Sequence, residues 1–95
     1  MKGGHRLPGK IGIVETRDAE GEVVYAARLP GGPIVVLRDT ALQIWQEAVA
    51  PSGEGALAER VADLYGVPVD EIEPVVDSCV TALVGQGVLE IDPSA

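Results

Sequence analysis

Between Ile11 and Leu37 the apolar residues come in short runs broken by turn residues, and from Asp39 onward they recur at three- and four-residue intervals. The first pattern is that of strands and the second that of helices. Ile11 to Glu15 predicts a first strand, Asp18-Ala19-Glu20-Gly21 a turn, and Val23 to Leu29 its antiparallel partner, a hairpin with a loop of about four to six residues. Pro30-Gly31-Gly32-Pro33 is a stronger turn signal, and the β-branched run Ile34-Val35-Val36-Leu37 after it predicts a third strand.

Past Asp39, the residues Ala41, Leu42, Ile44, Trp45, Ala48 and Val49 gather on one side of a helical projection. Thr40 and Gln43 have capping-box spacing at the start of this first helix, and Pro51-Ser52-Gly53 stops it. Leu57, Val61 and Leu64 define a second helix ending at Tyr65-Gly66, with Pro68 just beyond. Asp70 and Glu73 are spaced as a capping box for a third helix that runs toward Gln86 and stops at Gly87. Pro74 is expected in its first turn or just past it, where few or no ladder bonds are lost. Val88 to Ile91 has room for a short terminal strand. The fold class is therefore α+β, three antiparallel strands followed by three helices. The expected limits are a mobile N-terminal tail over residues 1–9, one domain over 10–91 and a short tail over 92–95.

A chain of 95 residues supports one hydrophobic core. Hydrophobic residues make up 46% of it and aromatics only 3%, so the expected core is built from Val, Leu, Ile and Ala around one Trp and two Tyr. Cys79 is the only cysteine and His5 the only histidine, which excludes an intrachain disulfide and a Cys/His metal cluster. No apolar run reaches the ~20 residues of a membrane span, and none follows the basic N-terminus at secretory length. The expectation is a soluble, cytoplasmic protein without cofactor or metal.

Charge divides the chain. Up to Arg38 there are six basic and four acidic residues, whereas from Asp39 onward Arg60 is the lone base against eleven acids. The second half repels nucleic acid and anionic lipid and attracts a basic peptide.

The third helix carries more apolar surface than a core-facing helix needs. At ~100° per residue from Ile72, Val76 and Leu83 fall close to it, Cys79 and Val75 to one side, and Val80 and Val84 to the other. With Ala82 the arc spans about 200°, against a stripe of roughly 100° for simple packing. One flank, either Val75 with Ala82 or Val80 with Val84, is free to line a groove.

Three segments, taken together, resemble the PqqD-like family of peptide-recognition elements. They are the strand-to-helix junction Val35-Val36-Leu37-Arg38-Asp39-Thr40-Ala41-Leu42-Gln43-Ile44-Trp45, the helix closing on Leu64-Tyr65-Gly66-Val67, and the last helix closing on Leu83-Val84-Gly85-Gln86-Gly87-Val88-Leu89. The resemblance covers about Ile11 to Leu89. The turn Pro30-Gly31-Gly32-Pro33 departs from the pattern of some members. What the resemblance implies is a winged-helix-like, non-catalytic domain that binds the leader of a ribosomally synthesised precursor peptide. The leader adds as a strand beside the third strand, in a cleft walled by the third helix. Members hand such precursors to radical enzymes, cyclases, dehydratases or leader peptidases. The implied peptide-binding residues are Ile34, Val35, Val36 and Leu37 of the strand and Ile72, Val75, Val76, Cys79, Val80 and Leu83 of the helix. Glu71, Glu73 and Asp77 would form an acidic rim.

Three rival readings have weaker support in the residues. The second and third helices, joined by Gly66-Val67-Pro68-Val69, have the look of a helix-turn-helix, but the would-be recognition helix contains no Lys or Arg to neutralise phosphate. Catalysis by Ser52 or Ser78 lacks a histidine partner, since His5 falls in the expected tail. Asp70, Glu73 and Asp77 are explained by capping and solvation, without a calcium loop around them. Gly31-Gly32 and Gly85-Gln86-Gly87 lack phosphate-loop spacing and read as a turn and a helix stop. Cys79 is expected to be a buried, inert thiol and Trp45 a core residue. A module that dimerises through an open strand edge is the remaining alternative, so the expected state is a monomer or weak dimer.

Overall fold

A computed structural model describes residues 4–50 and 55–92. Its elements are β1 (Gly4–Arg6), β2 (Ile11–Asp18), β3 (Gly21–Arg28), β4 (Val35–Leu37), α1 (Asp39–Val49), α2 (Leu57–Tyr65), α3 (Val69–Gly85) and β5 (Glu90–Asp92). Strands β2, β3 and β4 form an antiparallel sheet in that order, followed by three helices, the winged-helix-like arrangement.

The hairpin is longer and tighter than its apolar residues announce. Asp18 pairs with Gly21, leaving only Ala19 and Glu20 in the loop in place of four to six residues. The Asp18 carboxylate accepts the Glu20 N–H at 2.9 Å, and Gly21 takes a φ of 129°, so the turn closes through an Asx contact and a glycine. Arg38 adds an ion pair to the same carboxylate across the sheet. The Glu20 N–H first and the Arg38 guanidinium second hold that carboxyl below the usual Asp range.

β4 is three residues long, one fewer than expected, because Ile34 stays outside the pairing. Its register is Val24↔Leu37, Tyr25↔Val36 and Ala26↔Val35. The side-chain alternation of a strand then sends Val35 and Leu37 into the core and Val36 out. The Leu29–Pro30 peptide in the preceding connection is cis.

The helix ends differ from the expected capping boxes. α1 follows β4 through Arg38 alone and begins at Asp39, which takes a positive φ of 54°. Asp tolerates this region better than most residues, and the sharp entry places Thr40 inside the helix, so no side chain caps it. α3 begins at Val69 after Pro68 without a side-chain cap, so Asp70 is also inside its helix. Pro74 is therefore the sixth residue, just past the first turn as expected, and only the Asp70 carbonyl loses its N–H partner four residues on. α2 keeps half a box, since the Ala56 N–H donates to Glu59 Oε1 at 3.0 Å. Both α2 and α3 close on a left-handed glycine. The Gly66 N–H bonds the Asp63 carbonyl and the Val67 N–H the Ala62 carbonyl, and Gly87 and Val88 repeat the pattern on Val84 and Leu83. The stop expected at Pro51-Ser52-Gly53 lies outside the described residues.

Two apolar clusters hold the layers together. The larger places Val24, Ala26, Val35 and Leu37 of the sheet against Leu42, Trp45 and Ala48 of α1 and Leu83, Val88 and Leu89. The smaller joins the helices through Ile44, Val61 and Val76. Buried Trp45 donates its indole N–H to the Val88 carbonyl at 3.0 Å, so the segment just past α3 is tied to α1, whereas Tyr25 and Tyr65, expected in the core with it, are each 41% exposed.

Gly4–Arg6, expected in the tail, forms β1 and pairs with β5 in the register Gly4↔Asp92, His5↔Ile91 and Arg6↔Glu90. Three-residue strands carry too little apolar pattern to be seen alone, and β1 gains its order from β5 and from packing on α1. Arg6 Nε lies 3.0 Å from Glu90 Oε1. His5 is half-buried there, and burial first and the charge of Arg60 second lower its pKa from 6.5.

Arg60 is the polar anchor of the helices. Its Nε lies 3.0 Å from Glu47 Oε1, Nη2 donates to the Glu47 carbonyl at 3.0 Å, and Nη1 bonds the Gly55 carbonyl. The two side chains are only 12% and 10% exposed. Among the described residues no buried side-chain N or O atom lacks a hydrogen-bond partner.

Two predictions follow from these contacts. Arg60→Ala leaves Glu47 buried and short of its cation, so denaturant unfolding should show a loss of about 3 kcal/mol; a loss below about 1 kcal/mol would contradict the anchoring role. Because the folded state favours neutral His5, it binds fewer protons than the unfolded chain near the ordinary pKa. Stability is intact above that value and falls as the pH drops through it. Between about pH 7.5 and 5.5 the wild type should lose more stability than His5→Gln, and equal pH profiles would refute the placement of His5.

Candidate functional site

β4 is an edge strand. β3 occupies one side of it, and among the described residues no strand pairs with the other. An unpaired edge presents backbone N–H and C=O groups that another chain can complete. β4 keeps its strand geometry because Val35 and Leu37 are buried against α1, not because the ladder is long.

Burial sorts the expected site residues into three groups. Val35, Leu37, Val76 and Leu83 are core side chains, each no more than 8% exposed, so a guest chain meets the backbone of β4 and not these side chains. Ile72, Cys79 and Val80 are half-buried along α3. Ile34, Val36 and Val75 stand out at 73%, 52% and 47% exposure. Ile34 precedes the strand and Val36 points away from the core, so neither side chain shares the core-facing side of β4.

The same pattern separates the two flanks of α3. Val80 and Val84 pack against the cluster that contains Val35 and Leu37. Exposed Val75 joins neither cluster. The flank turned toward the sheet is therefore that of Val80 and Val84. By helical projection Glu73 and Asp77 share this side, whereas Glu71 falls on the side of Val75. All three carboxylates are exposed. The half-buried Cys79 thiol lies against both clusters, and burial pushes its pKa up.

Two features escaped the reading of the sequence. Val14, Tyr25 and Val36 lie side by side across the outer face of the sheet, all exposed. The period-two alternation of β2 past Glu15 was the available signal, hidden by Thr16, Arg17 and Asp18. The second is a cavity of about 420 Å³ lined by residues of β1, β3, β5 and the end of α3. It depends on β1, whose pairing no local pattern reveals.

No group of His, Cys, Asp or Glu among the described residues is placed to hold a metal ion, and no described helix is long and apolar enough to cross a membrane. Ser78 is exposed on α3, and Ser52 lies outside the described residues. The described residues thus leave an open strand edge and a half-buried apolar helix flank in a winged-helix-like frame. The model of the family described as Coenzyme PQQ synthesis protein D (PqqD) matches residues 18–89, well over half of the chain, and the chain belongs to that family. PqqD-family proteins are non-catalytic peptide-binding accessories in the biosynthesis of ribosomally made, modified peptides. No curated protein and no solved structure matched the chain.

Cys79, expected to be buried, is half-buried, and a thiol with a raised pKa is a poor nucleophile. At pH 8 Cys79 should react with iodoacetamide at least about ten-fold more slowly than a cysteine in an unfolded peptide; an equal rate would show that the flank is open to solvent.

Proposed function

We propose that this protein holds the leader segment of a ribosomally synthesised precursor as a fourth strand beside β4 and presents it to a modifying enzyme or leader peptidase. The supporting observation is the unpaired edge of β4 beside the Val80–Val84 flank of α3. In this reading the backbone of residues 35–37 supplies the ladder and alternate guest side chains settle on Val80 and Val84. Ile72 and Cys79 border the same surface, while Val35, Leu37, Val76 and Leu83 support it from beneath.

The energetics assign separate jobs to strand and helix. Each ladder bond contributes about 0.5–1.5 kcal/mol net and is blind to sequence, so a strand as short as β4 gives weak affinity without discrimination. Selectivity comes from the apolar flank and from Glu73 and Asp77, which favour Lys or Arg on the guest. A DNA-binding role has no comparable support, because α3 carries Asp70, Glu71, Glu73 and Asp77 and no base.

The test is an NMR titration of labelled protein with leader peptides encoded beside its gene. Amide shifts should concentrate at residues 35–37 and methyl shifts at Val80 and Val84. Val80→Glu should weaken binding by about ten-fold, near 1.4 kcal/mol, by adding a carboxylate to an apolar contact surface. Shifts confined to the β2–β3 hairpin would rule the site out.

A further inference from the structure

The cavity of about 420 Å³ sits where the β1–β5 ribbon meets the end of β3 and the last turn of α3. Pro8 and Leu89 are buried in its wall, Val84 is half-buried, and Ile91 stands at the rim. Three charged groups also line it. Arg6 and Glu90 are paired with each other, whereas Arg28 has no carboxylate partner among the described residues.

Arg28 is held in place without being neutralised. Its carbonyl accepts the Gly32 N–H at 2.8 Å, and its stem lies against Gly87. A Cβ at Gly87 would come within 3.1 Å of Arg28 Cδ, so the glycine, at a φ of 82°, is what gives the stem its bed. A guanidinium positioned in this way loses little freedom on meeting a carboxylate and offers it two parallel N–H donors. The site is open to solvent and Arg28 is exposed, so the contact relies on this bidentate geometry more than on burial.

The cavity also shares Val84 with the peptide site proposed above. Arg28 points to the same side of β3 as Ala26, whose partner Val35 is the first residue of β4, and lies two residues past it. Val84 serves both places, lining the cavity and packing against the cluster of Val35 and Leu37. A guest strand leaving β4 at Val35 is thus delivered toward Arg28.

We infer that this cavity is a second subsite for the guest peptide, taking an acidic side chain through Arg28. The inference rests on the peptide-binding reading above and adds a requirement to it. The family match covers Arg28, Val84, Gly87 and Leu89, while Arg6, Pro8, Glu90 and Ile91 lie outside it. The acidic rim at Asp77 stands seven residues before Val84, about 10 Å along the helix axis. About three residues of extended chain cover that distance, and four, about 13 Å, is the nearest spacing that keeps both side chains on one face of the strand. The favoured guest carries a basic and an acidic side chain about four positions apart with apolar residues between them, and the two charges fix its direction in the cleft.

Four peptides with both ends blocked, so that no terminal carboxylate competes, test this by NMR titration: acetyl-Lys-Val-Ile-Val-Glu-amide, acetyl-Glu-Val-Ile-Val-Lys-amide, and each with Gln in place of Glu. In one of the two orders the Glu peptide should bind about five-fold more tightly than its Gln counterpart, with shifts at residues 35–37 and at the Gly87 amide. Arg28→Gln should abolish that preference while leaving the β4 shifts, and Arg28→Lys, which keeps the charge and loses the fork, should restore only part of it. Glu and Gln peptides that bind alike, with β4 shifts present, overturn the subsite and leave the peptide-binding reading intact. Absence of shifts at residues 35–37 with every peptide overturns both.

Discussion

The burial of Val35 and Leu37 against α1 is the contact on which the rest of the molecule depends. A strand of three residues bonded on one side contributes few hydrogen bonds, and in isolation it would fray. Here the chain passes from Leu37 to α1 through Arg38, so strand and helix share one rigid corner, and Leu42 and Trp45 close over the two inward side chains. The outer edge is thereby held as a strand by the protein's own packing.

The same economy governs the helical layer. Arg60 is the only base after Arg38, and it is spent inside the protein, on Glu47 and two carbonyl groups. The acidic residues around it consequently face solvent with little compensation. The Arg28 guanidinium, on a strand from the first half of the chain, has no carboxylate partner among the described residues. Glu73 and Asp77 stand in the first half of α3 and the stem of Arg28 lies beside Gly87 past its end, so the two halves of the sequence bring opposite charges to opposite ends of that helix.

The order of three strands and three helices was legible because the apolar period changes from two to about 3.6 at Asp39, and the glycine stops at Gly66 and Gly87 sit where the pattern places them. Helix starts were less legible. A capping box is a local signal, but tertiary packing began α1 and α3 at Asp39 and Val69, ahead of Thr40 and Asp70. The hairpin turn was read too long because Thr16, Arg17 and Asp18 are polar residues in an exposed strand, where periodicity fades. The β1–β5 pairing joins residues more than eighty positions apart, and no local pattern encodes it. On α3 the sequence reading stopped at a choice between two flanks, since an apolar arc fixes which residues are apolar but not what they face.

That distant pairing has a consequence for how the chain is wired. Gly4 and Asp92 are neighbours across the ribbon, so the two ends of the described fold leave it at the same spot. A chain closed there and reopened in another exposed connection would retain every element in its place. The topology is suited to circular permutation, and equally to insertion as a unit into a loop of a larger protein, because host segments entering and leaving at one point need not be pulled apart to receive it.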